Sequence, residues 1–216
     1  MKFKKSVFVL FVSFFHLSGW AAEWTEIKSK EFNLANPPEE GSVEEKKDFK
    51  ILHDYQKNRT EEECKLADSM SAPTLKALFG GKNGKLTDAE IKKAGELFGE
   101  VFDFADRVSG HFKSKYMRPR PFNVDQTLKP CITKPGGAKA YPSSHSVMGV
   151  AGACLLAEVF PKKAKELKAW GKRIGELRVL GGVHHPSDVI AGRNLGQQIC
   201  DRLLSEKTFL DDLEEL

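Results

Sequence analysis

Beyond its N-terminal segment, the chain has no apolar run approaching the ~20 residues that a membrane-crossing helix needs. It also lacks the apolar–polar alternation that marks strands, and it has no internal repeat. Excess charge is missing as well. The whole chain carries +4, but three lysines and no acids lie in residues 1–21, so the remainder holds 31 basic against 30 acidic residues, a net +1. The basic isoelectric point is therefore largely a property of that segment. Nothing in the body calls for a nucleic-acid polymer or an anionic membrane surface as partner. Cysteine is scarce, and Cys64, Cys131, Cys154 and Cys200 follow no zinc-ligand spacing. An even count permits disulfides, with every pairing open. Cys154 falls in an apolar helical stretch and reads equally well as a buried thiol.

What is present begins with a leader. Lys2, Lys4 and Lys5 form a basic start, an apolar Phe-rich stretch runs from Ser6 to about Leu17, and Gly19 and Ala21 suit signal-peptidase cleavage. The expectation is a signal peptide over 1–21, cleaved near Ala21, and a mature chain that is periplasmic or secreted. Residues 22–58, with Pro37, Pro38 and Gly41, read as an irregular N-terminal arm with one helix near Phe49–Gln56. From 59 to 216 the pattern is helical. Thr60-Glu-Glu-Glu63 and Thr87-Asp-Ala-Glu90 are capping boxes, each opening a helix. After the second, Ile91, Ala94, Leu97, Phe98, Val101, Phe102, Ala105 and Val108 recur at helical steps, giving a helix to about Phe112. A short helix is expected over Thr74–Phe79. Prolines and glycines make 117–142 a loop. Further helices are expected from Ser143 or Ser144 to Phe160, over about 162–180, and from Ser187 to about Leu204. The acidic tail after Ser205 is expected to fray or dock weakly. The fold class is all-α, a single-domain helical bundle.

Three fragments carry chemistry. Lys113, at the end of the long helix, precedes Arg118-Pro-Arg120-Pro121. Arg120 offers a planar fork for two oxygens of an oxyanion, Lys113 a point charge, and the flanking prolines restrict the backbone. Taken alone, Arg118 and Arg120 also read as solvated loop charges. Ser143, Ser144 and His145 stand at a helix start, where free N–H groups and the helix dipole favour an anion. In the third fragment, Gly181 and Gly182 break the helix between Arg178 and His184, so that both can face one pocket. Asp188 lies four residues beyond His184; a carboxylate on Nδ1–H leaves Nε2 as a nucleophile. His185 precedes Pro186, is biased to an extended backbone and should point elsewhere. A metal site built on His184, His185 and Asp188, with His145 the one distant residue that could complete it, is disfavoured, because three nearby cations repel a metal.

The order Lys-x6-Arg-Pro, Pro-Ser-x-His and Arg-x5-His-x3-Asp resembles the signature of the type 2 phosphatidic acid phosphatase (PAP2) superfamily. The leader and the run near residue 60 are most similar to bacterial class A non-specific acid phosphatases. The resemblance implies a helical fold of the PAP2/haloperoxidase type over 59–216 and an acid phosphatase acting on small-molecule phosphate monoesters through a phosphohistidine, without metal or other cofactor. It implies His184 as nucleophile, His145 as general acid and Asp188 as the group orienting His184. Lys113, Arg120, Arg178, Ser143 and Ser144 would hold phosphate. Two positions depart from the family pattern: Ser144 stands where the family has Gly, and Leu177 where it has Ser. Other readings remain: a lipid head-group phosphatase, a vanadate-dependent haloperoxidase, or a catalytically weak phosphate-binding protein. Oligomeric state is left open.

Overall fold

The fold was read from a computed structural model that describes residues 23–82 and 84–216. The leader expected over 1–21 lies outside the described residues. Nine α-helices follow one another among the described residues: α1 (Val43–Asn58), α2 (Glu61–Ser69), α3 (Leu75–Phe79), α4 (Asp88–Tyr116), α5 (Pro121–Val124), α6 (Ser144–Val159), α7 (Ala164–Leu180), α8 (Pro186–Leu204) and α9 (Lys207–Glu214). Among these residues there is no strand, only an isolated bridge between Pro119 and Lys139. The all-α class holds.

Helix starts follow the local chemistry. The Thr60 and Thr87 side chains accept from the N–H of Glu63 and Glu90, and each glutamate returns a bond to its cap. Ser143 caps α6 in the same sense, accepting from Ser146. The long α4 runs four residues past the expected Phe112, which carries Lys113 into its last turn, and it stops at Met117 in the left-handed conformation (φ 53°).

α6 is the central helix. Its small residues let α7 approach until backbones meet: a Cβ on Gly149 would lie 2.5 Å from the carbonyl oxygen of Gly171, and one on Gly171 2.2 Å from that of Gly149. α8 and α4 close the other sides. The bundle thereby points the start of α6, the end of α7 and the start of α8 at one another.

Four regions differ from the expectation. α1 begins at Val43 rather than near Phe49, and its buried Asp48 and Leu52 join it to the body. Trp24, Ile27 and Phe32, earlier in the same arm, are buried in the main core. The loop over 117–142 contains the short α5. The tail after Ser205 does not fray. α9 buries Phe209, which meets Trp24 edge-on at 5.2 Å, and Asp212 accepts from the Trp24 indole at 2.7 Å. An amphipathic turn with one aromatic anchor outweighs the acidic composition that suggested a loose end.

All four cysteines pair. Cys64–Cys131 joins α2 to the loop before α6, and Cys154–Cys200 joins α6 to α8, spanning 67 and 46 residues. Cys154 is therefore not a free thiol. Each closure removes chain entropy equivalent to about 4 kcal/mol.

Candidate active site

Two of the three sequence fragments are delivered by chain reversals, and the third opens α6. The Met117 cap ends α4 and swings Arg118 and Arg120 beneath the loop, where Ala140 N–H bonds Arg118 O at 2.8 Å. Gly182 at φ +81° turns the chain between α7 and α8, so that Arg178 and His184 face the same space. That turn and the 117–142 loop are pinned by α2 and the Arg59 that precedes it. Arg59 donates to Leu180 O (2.7 Å) and to Lys129 O, Thr133 N–H bonds Asp68 at 2.6 Å, and Cys131 is disulfide-linked.

The result is a cavity of about 430 Å³ lined by Lys113, Arg120, Ser144, His145, Arg178 and His184. Six of the eight expected site residues thus reach one wall. Asp188 stands behind His184, fully buried. Ser143 is also buried outside the lining; its hydroxyl accepts from Ser146 N–H at 3.4 Å and its own N–H bonds Asp188 O at 3.0 Å. Ser144 takes an ordinary helical backbone, since Met117 is the one positive-φ non-glycine among the described residues. Serine therefore replaces glycine there without backbone strain. Leu177 is wholly buried in the core, so a serine at that position would not meet the cavity.

His184 is held at both ring nitrogens. Nδ1 lies 3.3 Å from Asp188 Oδ2, and Nε2 lies 3.0 Å from Arg120 Nη1. A guanidinium only donates, so Nε2 carries the lone pair and Nδ1 the proton. Arg120 is fixed by its own bonds to Val183 O (2.9 Å) and Gly137 O (2.6 Å). Lys113 donates to Pro142 O. His145 Nε2 lies 3.2 Å from Ser71 O, and Arg178 reaches Ser71 Oγ at 3.4 Å.

The electrostatics are those of buried, mutually crowded cations. Burial, reinforced by Arg120, lowers Lys113 to about 8 and Arg178 to about 10. Burial followed by the charge of Arg178 drops His145 to about 3, and burial places His184 well below its ordinary value. Burial would raise Asp188, but its bond to His184 and the charges of His185, His184 and Arg118 outweigh that and hold it well below the usual carboxylate range. Crowded cations and neutral imidazoles all await negative charge.

These shifts set an acid limit on the fold. His145 titrates near 6.5 when unfolded and about 3 when folded. Between those values the unfolded chain binds more protons, so stability falls as pH drops from 6.5 toward 3. The urea midpoint should be lower at pH 5 than at pH 7, and His145→Asn should shrink that difference.

Two side chains near the cavity were not anticipated. Arg118 is not solvated; it is buried and bonds Asp188 Oδ1 at 2.7 Å and Asp48 at 3.1 Å. Asp48 comes from α1, and no local sequence signal marks it. His185 points away from the cavity, its Nε2 3.3 Å from Pro119 O and its ring edge-on to Phe49.

Comparison with known proteins places this geometry. Residues 99–200 match the PAP2 superfamily model. A non-specific acid phosphatase of Providencia stuartii is 28% identical over 197 residues, covering 84% of this chain and 77% of the relative. One from Salmonella typhimurium is 36% identical over 110 residues, or 48% of this chain and 43% of the relative. Among solved structures, a bacterial vanadium-dependent iodoperoxidase aligns with a TM-score of 0.60 at 18% identity, covering 82% of this chain and 52% of its own, which is a likeness of fold. The matched stretch carries all three fragments gathered at this cavity, and the likeness it shows is to the PAP2 superfamily.

Proposed function

We propose that this protein is an exported phosphomonoester hydrolase that works through a phosphohistidine at His184. One observation carries the reading: the His184 ring is clamped with Nδ1 toward Asp188 and Nε2 toward the cavity, 3.0 Å from a fixed guanidinium. That is a nucleophile in its attacking tautomer beside the charge that binds its target. The acid phosphatases from Providencia and Salmonella support the substrate class. Two disulfides support an oxidising compartment.

In the first step, Nε2 of His184 forms a bond to phosphorus as the ester P–O bond breaks. His145 gives its proton to the departing oxygen. In the second step, water attacks phosphorus, His145 takes a proton from that water, and the P–N bond breaks to free inorganic phosphate and His184. Arg120, Arg178 and Lys113, with the N–H groups that open α6, hold the phosphoryl oxygens and stabilise charge in both transition states. No metal is needed for that stabilisation, since three cations already supply it.

In the empty cavity His145 is neutral, because burial and Arg178 disfavour its proton. A bound dianion offsets most of the surrounding positive charge and raises the His145 pKa. Substrate thus favours the protonated form that the general acid needs.

A panel of chromogenic and alkyl phosphate monoesters, assayed across pH with and without a chelator, tests the reading. Turnover should be indifferent to chelator and highest in mildly acidic buffer. It should decline above about pH 8, where empty-site Lys113 gives up its proton. Absence of turnover on every ester, with inorganic phosphate still bound, would leave a binding protein instead.

A further inference from the structure

The His184–Asp188 pair does not end at Asp188. Asp188 Oδ2 accepts from His185 N–H at 2.8 Å and faces His184, while Oδ1 accepts from Arg118 at 2.7 Å. The same Arg118 nitrogen bonds Ser187 Oγ at 2.7 Å, and its second terminal nitrogen bonds Asp48 Oδ2 at 3.1 Å. Asp48 Oδ1 accepts from Ser187 N–H at 3.0 Å, and its Oδ2 accepts from the Ser187 hydroxyl. Asp48, Arg118 and Asp188 are 5%, 6% and 0% exposed. Three full charges of alternating sign, all inside the protein, lead from the imidazole to a helix of the N-terminal arm.

We propose that Asp48 is a positioning residue for the reaction: through Arg118 and Ser187 it fixes the Asp188 carboxylate and sets the net charge that His184 meets. This rests on His184 as nucleophile.

The physical argument concerns charge balance. Arg118 alone would cancel Asp188, and the attacking imidazole would acquire its positive charge beside a neutral pair. Asp48 restores one net negative charge to the line, so the imidazolium formed on phosphorylation is stabilised while Asp188 stays ionised. The other groups around His184 act against it. Arg120 and Lys113 repel its positive form, and His185 shares the field of Asp188. A buried carboxylate that offsets Arg118 is therefore the counterweight available from the arm side. Such an arrangement tolerates little distortion, because the partner charges cannot be resolvated when one is removed.

The experiment compares Asp48→Asn, which keeps size and removes charge, with Asp48→Glu, Ser187→Ala and His184→Ala. In Asp48→Asn, kcat should fall about 10–100-fold while inhibition by inorganic phosphate changes less than about threefold, since none of Lys113, Arg120 and Arg178 touches Asp48. The acidic limb of kcat/KM should move to lower pH, because loss of a negative charge makes the imidazole easier to deprotonate. Asp48→Glu should recover part of the rate. A purely structural role would lower the melting temperature and leave the rate at permissive temperature and the acidic limb unchanged; that result overturns the proposal. Should Asp48→Asn fail to fold, Ser187→Ala carries the test. It deletes the hydroxyl that Arg118 and Asp48 share, and parental kcat with a parental acidic limb overturns the proposal equally. His184→Ala keeps the two readings apart: if it is inactive while Asp48→Asn is fully active, only the role of Asp48 is lost.

Discussion

Replacing His184 with alanine is expected to lower kcat by about four orders of magnitude or more, the scale seen when a nucleophile acting as part of a unit is removed. The loss should be confined to chemistry. The ring contributes no cation to the cavity, and Arg120 keeps its anchors on Val183 O and Gly137 O, so its fork stays in place. Asp188, although fully buried, retains two bonds, from Arg118 and from His185 N–H, so the variant is not left with an unpaired buried carboxylate. Inorganic phosphate should therefore bind within about threefold of its parental affinity, as read by competition or by the thermal shift it induces. Quenching in alkaline denaturant, in which the P–N bond of a phosphohistidine survives, should trap a phosphorylated chain in the parent and none in the variant. Activity within a tenth of the parent's would remove His184 from the nucleophile's place, whatever the cavity binds.

The chemistry of this cavity was largely written in short-range spacing, and for a physical reason. Arg178, the Gly181-Gly182 break, His184 and Asp188 lie within eleven residues. Their relation is set by helix rise, one left-handed turn and a four-residue step, all local quantities. Lys113 and Arg120 are likewise separated by a single helix end. What stayed hidden is what distance in sequence decides. Arg118 looks like a solvated loop charge until Asp48 and Asp188, each 70 residues away along the chain, are seen to bracket it. Cys154 looks like a buried thiol until α8 brings Cys200 beside it. The C-terminal tail looks loose until Trp24, from the other end of the chain, supplies an edge for Phe209 and a donor for Asp212. Hydrophobic periodicity located the helices but could not say which loops α2 and Arg59 would clamp. That clamping, through Arg59, Asp68 and Cys64, is what holds the wall of the cavity in place.

Arg178 offers the second large effect, one in which stability and activity should move in opposite directions. It is 1% exposed, has a buried Nε without a partner, and forms no ion pair among the described residues. Its Nη1 contact with Ser71 Oγ is long, at 3.4 Å. Burial and Arg120 already pull its pKa down to about 10, with Asp68 as the opposing influence. A cation so placed is a liability to the empty fold, since its desolvation goes uncompensated. Arg178→Met keeps the length and volume and deletes the charge. The empty variant should be at least as stable as the parent, with a urea midpoint equal or higher. Phosphate affinity should fall about 10²–10⁴-fold, the equivalent of ~3–6 kcal/mol for losing a two-pronged charge-assisted contact. The variant should also be less sensitive to acid when empty, because Arg178 is the foremost charge lowering the His145 pKa and its removal lets that pKa rise toward the unfolded value. Arg178→Lys should restore charge without the planar fork and fall between the two in affinity. A variant that loses stability by several kcal/mol yet binds phosphate normally would mean that this guanidinium supports the fold rather than the ligand. The opposite pairing, tighter folding with a weakened grip on phosphate, is what a site built for a dianion requires: its unbalanced positive charge is tolerated in the free protein because a ligand neutralises it.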